Sequence, residues 1–113
     1  MAAARLLDRH CQRDTTRLNA GAVRELMRQL HGDWSASDDA QHIRRSFRFK
    51  NYYQTIAFVN ALAWIAHQED HHPDLEVGYN RCVVNFSTHS VGGLSENDFI
   101  CAARIDTLVP QSD

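Results

Sequence analysis

The chain predicts an α+β domain built on an antiparallel sheet, and three observations carry that expectation. Its 113 residues are 43% hydrophobic and 23% charged, enough for one globular unit with a self-sufficient core. Apolar residues recur at helical spacing in three stretches and with period two in three others. With Ser35 to Ala40 added as a short edge strand, the order reads α, β, β, α, β, β, α, and strands that follow one another directly argue antiparallel pairing in an α+β arrangement.

Residues 1–17 carry scattered charge with no period and read as a loosely held, flexible arm ahead of a single domain at 18–109. Asn19 is a candidate N-cap. Val23, Leu26, Met27 and Leu30 then fall on one helical face, and His31-Gly32-Asp33 closes the helix with Gly32 as its C-cap. Trp34 follows at once, as a lid on the core or as the wall of a pocket. Ser35 to Ala40 reads as a turn or a short edge strand. From His42 to Lys50, Ile43, Arg45, Phe47 and Phe49 alternate with His42, Arg44, Ser46 and Arg48, the pattern of a half-buried strand with Arg45 at an edge.

A long helix starts at Asn51, where Asn51 and Gln54 make a capping-box pattern. Tyr52, Ile56, Val59, Ala63 and Ala66 form one apolar stripe, and Tyr53, Phe58, Leu62 and Ile65 widen it. A helix apolar on more than one side has two surfaces to cover, its own sheet and a second copy. The expectation is a homodimer or homotetramer through helix 51–69. Two strands follow, around Leu75–Tyr79 and Arg81–Thr88, with His89 continuing the polar side of the second. Ser95, with Asp98 three residues on, caps a last helix.

Composition narrows the functional classes. A net charge of -2 and a pI near 6.4 give no electrostatic reason to expect direct nucleic-acid binding. The patch Arg44-Arg45, Arg48 and Lys50 reads as the solvated face of a strand. Three widely spaced cysteines, Cys11, Cys82 and Cys101, suit neither a disulfide framework nor a zinc knuckle and suggest a reducing compartment. No apolar run is long enough for a membrane span. The start, charged from Arg5 and again at Asp8, Arg9 and His10, is too polar for a secretory signal. The expected location is cytoplasmic.

The chemistry gathers in His67-Gln68-Glu69-Asp70-His71-His72-Pro73, three of the chain's seven histidines in seven residues, with His89 beyond. Four readings compete. As a metal site, H-E-x-x-H would need Glu at 68 and H-x-x-E-H would need Glu at 70, where Gln68 and Asp70 stand; a three-histidine set of His67, His71 and His89 remains open. As nucleophilic catalysis, Ser87, Ser90 and Cys82 lie near His89, but none sits in a G-x-S-x-G elbow. Structurally, His71 or His72 suits a helix C-terminus, where a positive charge meets the dipole. As metal-free general acid/base catalysis, imidazoles around a small polar ligand move protons near neutral pH.

The spacing His67-x-x-x-His71-His72-Pro73, five residues, Tyr79, nine residues, His89, eight residues, Asp98 resembles the signature of the pterin-4a-carbinolamine dehydratases. Ser87-Thr88-His89 and Gly93-Leu94-Ser95 match the family's wording, while Gly32-Asp33-Trp34 carries one inserted residue and position 67, often an acid, is His67. The resemblance covers about residues 18 to 108. It implies a four-stranded antiparallel sheet with three helices packed on one face. It implies a hydro-lyase that converts 4a-hydroxytetrahydrobiopterin to quinonoid dihydropterin and recycles the cofactor of aromatic amino acid hydroxylases, with no metal and no cofactor of its own. His71, His72 and His89 carry over as catalytic residues, and Asp70, Ser87, Thr88 and Ser90 as further pterin contacts. Asp98, His67 and Trp34 are lesser candidates, Asp98 having an equally good local role as the capping partner of Ser95. Animal relatives also act as dimerisation partners of a transcription factor, so a protein-binding role on the same fold is the alternative.

Overall fold

A computed structural model describes residues 5–110. The regular elements are α1 (Ala20–Met27), β1 (Ser35–Ala36), β2 (Ile43–Arg48), α2 (Tyr52–Glu69), β3 (Asp74–Val77), β4 (Arg81–Phe86) and α3 (Glu96–Asp106), with short 3-10 turns at Leu6–Asp8 and His89–Val91. The four strands form one antiparallel sheet in the order β1-β2-β4-β3. Period-two patterning sets the register. Ile43 faces Phe86, Arg45 faces Val84 and Phe47 faces Cys82 across β2 and β4, which puts Ile43, Phe47, Cys82, Val84 and Phe86 on one face. Val23 of α1, Phe58 and Leu62 of α2 and Phe99, Ile100 and Ile105 of α3 join that face in a single buried cluster. All three helices therefore cover the same side of the sheet, the expected α+β architecture. Among the described residues no helix is long and apolar enough to cross a membrane.

Caps hold where the sequence placed them. Asn19 Oδ1 accepts from the Ala22 N–H at 2.8 Å, and Asn51 Oδ1 from the Gln54 N–H at 2.9 Å. Ser95 and Asp98 form a complete capping box. Gln54, however, reaches one residue further back than a capping box requires, accepting from the Lys50 N–H at 3.1 Å.

Four expectations are corrected. First, α1 closes at Met27, before Leu30. Gln29 and Leu30 donate to the carbonyls of Leu26 and Met27 in tight i→i+3 turns, and the His31 N–H goes to Asp106 Oδ2 at 3.1 Å, so Gly32 caps nothing.

Second, Arg45 leaves the solvated patch. It is 8% exposed, lies over the Phe47 ring and donates to Asp106 Oδ1 at 2.6 Å, an oxygen that also accepts from Trp34 Nε1 at 2.8 Å. A carboxylate delivered by the end of α3 is what lets a guanidinium stay buried.

Third, the core-facing stripe of α2 is Thr55, Phe58, Leu62 and Ala66. Tyr52, Tyr53 and Trp64 face outward. A helix apolar nearly all round does not announce which side is inside.

Fourth, residues 5–17 do not hang from the body. Leu6 is buried in the main cluster and the Leu6 N–H donates to Gln29 Oε1 at 3.0 Å. Residues 9–13, called the strap below, lie across α2 and α3. Residues 1–4 of the expected arm lie outside the described residues.

Candidate active site

Three chain segments meet at the C-terminal end of α2. The helix stops at Glu69 because Asp70 adopts the left-handed conformation, φ 51° and ψ 43°. The N–H groups of Asp70 and His71 then close on the carbonyls of His67 and Ala66, satisfying the last helical acceptors. This turn swings His71 off the helix, so it does not share a face with His67. Pro73 follows and the chain enters β3.

His71 lands on the core. Its ring stacks on Phe86 at a centroid distance of 5.8 Å and an interplanar angle of 7°. Its Nε2 lies 2.6 Å from Asp98 Oδ1, the imidazole being 12% and the carboxylate 0% exposed. The second oxygen, Asp98 Oδ2, accepts from the Thr88 hydroxyl at 2.7 Å and from the Ser95 N–H at 2.9 Å. Because Thr88 gives its one proton to Asp98, it accepts from the Ser95 hydroxyl, 2.7 Å away. Asp98 thus does two jobs with two oxygens. One caps α3 and the other orients His71, and the N-terminus of α3 favours the negative charge both need. A carboxylate on Nε2 selects the tautomer protonated there, leaving Nδ1 as the lone pair. His71 Nδ1 makes no hydrogen bond with the described residues.

Beside this pair opens a cleft of about 400 Å³, lined on one side by Asp70, His71, Thr88 and Ser90 and on the other by Cys11, Gln12 and Arg13 of the strap. The structure therefore brings together four of the residues named from the sequence and sets Asp98 beneath them. His72 and His89 are exposed and, like Ser87, are not among the lining residues. β4 ends at Phe86, so His89 opens the 3-10 turn His89–Val91 instead of continuing the polar side of a strand. His67 is exposed and rests against Trp64 at 6.1 Å between ring centroids. Trp34 is a core lid, packed on Phe47 and Phe86, and does not reach the cleft. Among the described residues no three His, Cys, Asp or Glu side chains are placed to share a metal ion.

The strap is the part sequence reasoning missed. The Cys11 N–H donates to Glu69 Oε1 at 2.7 Å, and His10 Nδ1 lies 2.9 Å from Glu69 Oε2. Gln12 and Asn97 exchange two hydrogen bonds, at 2.9 and 2.8 Å. Arg9 pairs with Glu96, and Arg104 donates to the Arg9 carbonyl. Burial pushes the Glu69 carboxyl up. The Cys11 N–H, His10 and Arg104 outweigh it and hold the group below its usual value. These partners sit 58 to 95 positions away in sequence, beyond any local pattern. The signal available was the charge pattern itself, Arg9 and His10 against Glu69, the lone carboxylate of α2.

Comparison with known proteins bears on the same segments. A family model described as Pterin 4 alpha carbinolamine dehydratase matches residues 16–108. A protein of Nitrosospira multiformis, provisionally named pterin-4-alpha-carbinolamine dehydratase, is 59% identical over 98 residues, 87% of this chain and 84% of that one. A similarly named protein of Stenotrophomonas maltophilia is 62% identical over 95 residues, 84% of this chain and 81% of that one. Among solved structures, a transcriptional coactivator/pterin dehydratase from Brucella melitensis matches with a TM-score of 0.79 at 33% identity, covering 84% of this chain and 100% of that one. A pterin dehydratase-like protein described as a RuBisCO assembly factor in the alpha-carboxysome matches with a TM-score of 0.61 at 28% identity, covering 73% of this chain and 95% of that one. The agreement runs from just past the strap through α3, spans the His71–Asp98 pair, and includes relatives 59% and 62% identical over more than four fifths of each chain, so the chain belongs to the pterin 4 alpha carbinolamine dehydratase family.

Proposed function

We propose that the protein is a hydro-lyase that dehydrates a 4a-hydroxytetrahydropterin, 4a-hydroxytetrahydrobiopterin in the simplest case, to quinonoid dihydropterin and water. The observation that carries the reading is the His71–Asp98 pair at the wall of the cleft. In the reaction the N5–H bond breaks, its electrons form the N5=C4a double bond, and the C4a hydroxyl leaves as water after taking a proton. His71 accepts the N5 proton at Nδ1, and Asp98 stabilises the imidazolium that results. His89 delivers the proton to the departing hydroxyl from the opposite side. His72 holds and polarises the ring, and Asp70, Ser87, Thr88 and Ser90 complete the pterin contacts. Imidazole acid–base chemistry suffices, so the reaction takes pterin as substrate and uses no cofactor. In a cell that carries an aromatic amino acid hydroxylase, the product would return to that enzyme's cofactor cycle, and the expected compartment is the cytoplasm. The test is a dehydratase assay on enzymatically made carbinolamine: acceleration over the uncatalysed loss of water supports the reading, and none sinks it.

A second reading has its own observation. The outward side of α2 leaves Tyr53 82% and Trp64 61% exposed, more aromatic surface than a monomer needs. In this reading helix 51–69 is a protein-binding surface, for a second copy in a homodimer or homotetramer or for a transcription regulator. Light scattering after size exclusion gives the oligomeric state. A pterin titration separates the two functions: binding lost in His72→Ala supports the enzyme, and a pterin-blind protein that holds a protein partner supports the scaffold.

A further inference from the structure

Cys11 and Cys101 lie 90 positions apart in the chain, yet their sulfurs are 3.6 Å apart. Cys11 is half-buried in the strap and Cys101 is fully buried in α3. The Cys101 sulfur also lies 3.9 Å from the His71 carbonyl, and Cys11 itself lines the cleft. Two thiols in van der Waals contact need to close by only about 1.5 Å to reach bonding distance. The strap that carries one of them is held to α2 and α3 by hydrogen bonds, ion pairs and the packing of Cys11 on the core, with no covalent tie. We infer that Cys11 and Cys101 are a disulfide-forming pair, oxidised by a hydroperoxide, which fastens the strap as the fixed wall of the His71 cleft.

The atoms balance in two steps. Cys11, the thiol solvent reaches, attacks hydrogen peroxide as its thiolate: an S–O bond forms, the O–O bond breaks, and hydroxide leaves as water with the thiol's proton. The Cys101 sulfur then attacks the Cys11 sulfenic acid: the S–S bond forms, the S–O bond breaks, and a second water leaves with the Cys101 proton. Two thiols are oxidised by two electrons and one peroxide is reduced to two waters. The hydrogen bond to Cys101, burial and the Glu69 carboxylate all push the Cys11 thiol up, so little thiolate is present at neutral pH and the latch closes slowly. Cys82, fully buried in β4, takes no part.

The inference does not depend on the proposed reaction, and its test uses the full chain without substrate. Stoichiometric hydrogen peroxide should remove two hydrogens from the intact mass and join the Cys11 and Cys101 peptides under non-reducing digestion. Tm should rise by about 10 °C, reversibly with a thiol reductant, because the bond closes a long loop. Amide exchange in residues 9–13 should slow in the oxidised form. Cys11→Ser, at a half-buried position, should remove all four responses, and Cys82→Ala should keep them. Oxygen added to the mass without a cross-link, a cross-link through Cys82 or between molecules, or an unchanged Tm in the cross-linked protein would each overturn the inference.

Discussion

The two histidines assigned to proton transfer occupy opposite kinds of environment. His71 is stacked on Phe86, bonded to a fully buried carboxylate and turned out of its helix by one left-handed residue. His89 opens a single 3-10 turn closed by the Gly92 N–H on its carbonyl, is exposed, and its ring makes no hydrogen bond with the described residues. The first is organised before any ligand arrives; the second must be ordered by the ligand. A group with a fixed tautomer and a partner for its charge is suited to the step in which an imidazolium forms, and an exposed group to exchanging its proton with water.

The comparison breaks first at His71. His71→Ala should lower kcat by about 10³-fold, within the range for a positioned acid or base, with the fold retained by circular dichroism. His89→Ala should cost about 10²-fold and raise KM as well, since an exposed group contributes to holding what it orders. Equal losses in both variants would show that the exposed position of His89 is not the one used in the reaction. Asp98→Asn sharpens the point. The amide keeps the shape but offers His71 Nε2 either a donor or a weaker acceptor, and kcat should fall by about 10–100-fold, as for other groups that orient a functional residue. Because the other oxygen caps α3, the same change should also cost about 1 kcal/mol of stability in urea unfolding. Ser95→Ala should lose a similar stability through the cap and leave kcat within about threefold. Loss of activity in Ser95→Ala as large as in Asp98→Asn would assign the carboxylate to the helix alone.

How much of this the sequence showed depends on the range over which each feature is decided. The caps at Asn19, Asn51 and Ser95, and the strands read from period two, depend on residues a few positions apart and were legible. The spaced histidine pattern was legible as a family signature. Asp98 was legible only in half: its cap to Ser95 is local, and its bond to His71 spans 27 positions. Arg45 looked like surface because nothing near it in sequence shows the Asp106 carboxylate that neutralises it. The strap looked loose for the same reason, since Glu69, Asn97 and Cys101 are far from it along the chain. Where the inward stripe of α2 was misplaced the cause differs: with apolar residues all round the helix, only the tertiary fold decides which side is covered.

An effect on stability alone lies in the strap, the wall of the cleft opposite His71. Glu69 holds it through the Cys11 N–H and His10. Its carboxyl is depressed in the folded protein relative to its ordinary 4.5, so the unfolded chain binds this proton more readily than the folded one. Its contribution is then fully present above about pH 4.5 and fades as pH falls through the folded value. With its partner His10 largely in solvent, Glu69→Gln should cost about 1 kcal/mol at pH 7 and flatten the stability profile below pH 4.5. In the parent protein the strap should therefore loosen in acid before the core does, with amides of residues 9–13 gaining exchange while those of β4 stay protected. His71, held from beneath by Asp98 and not by the strap, should keep its stacked position under those conditions. If acid released His71 and the strap together, the two walls of the cleft would be one cooperative unit and the division between a wired histidine and a detachable wall would be lost.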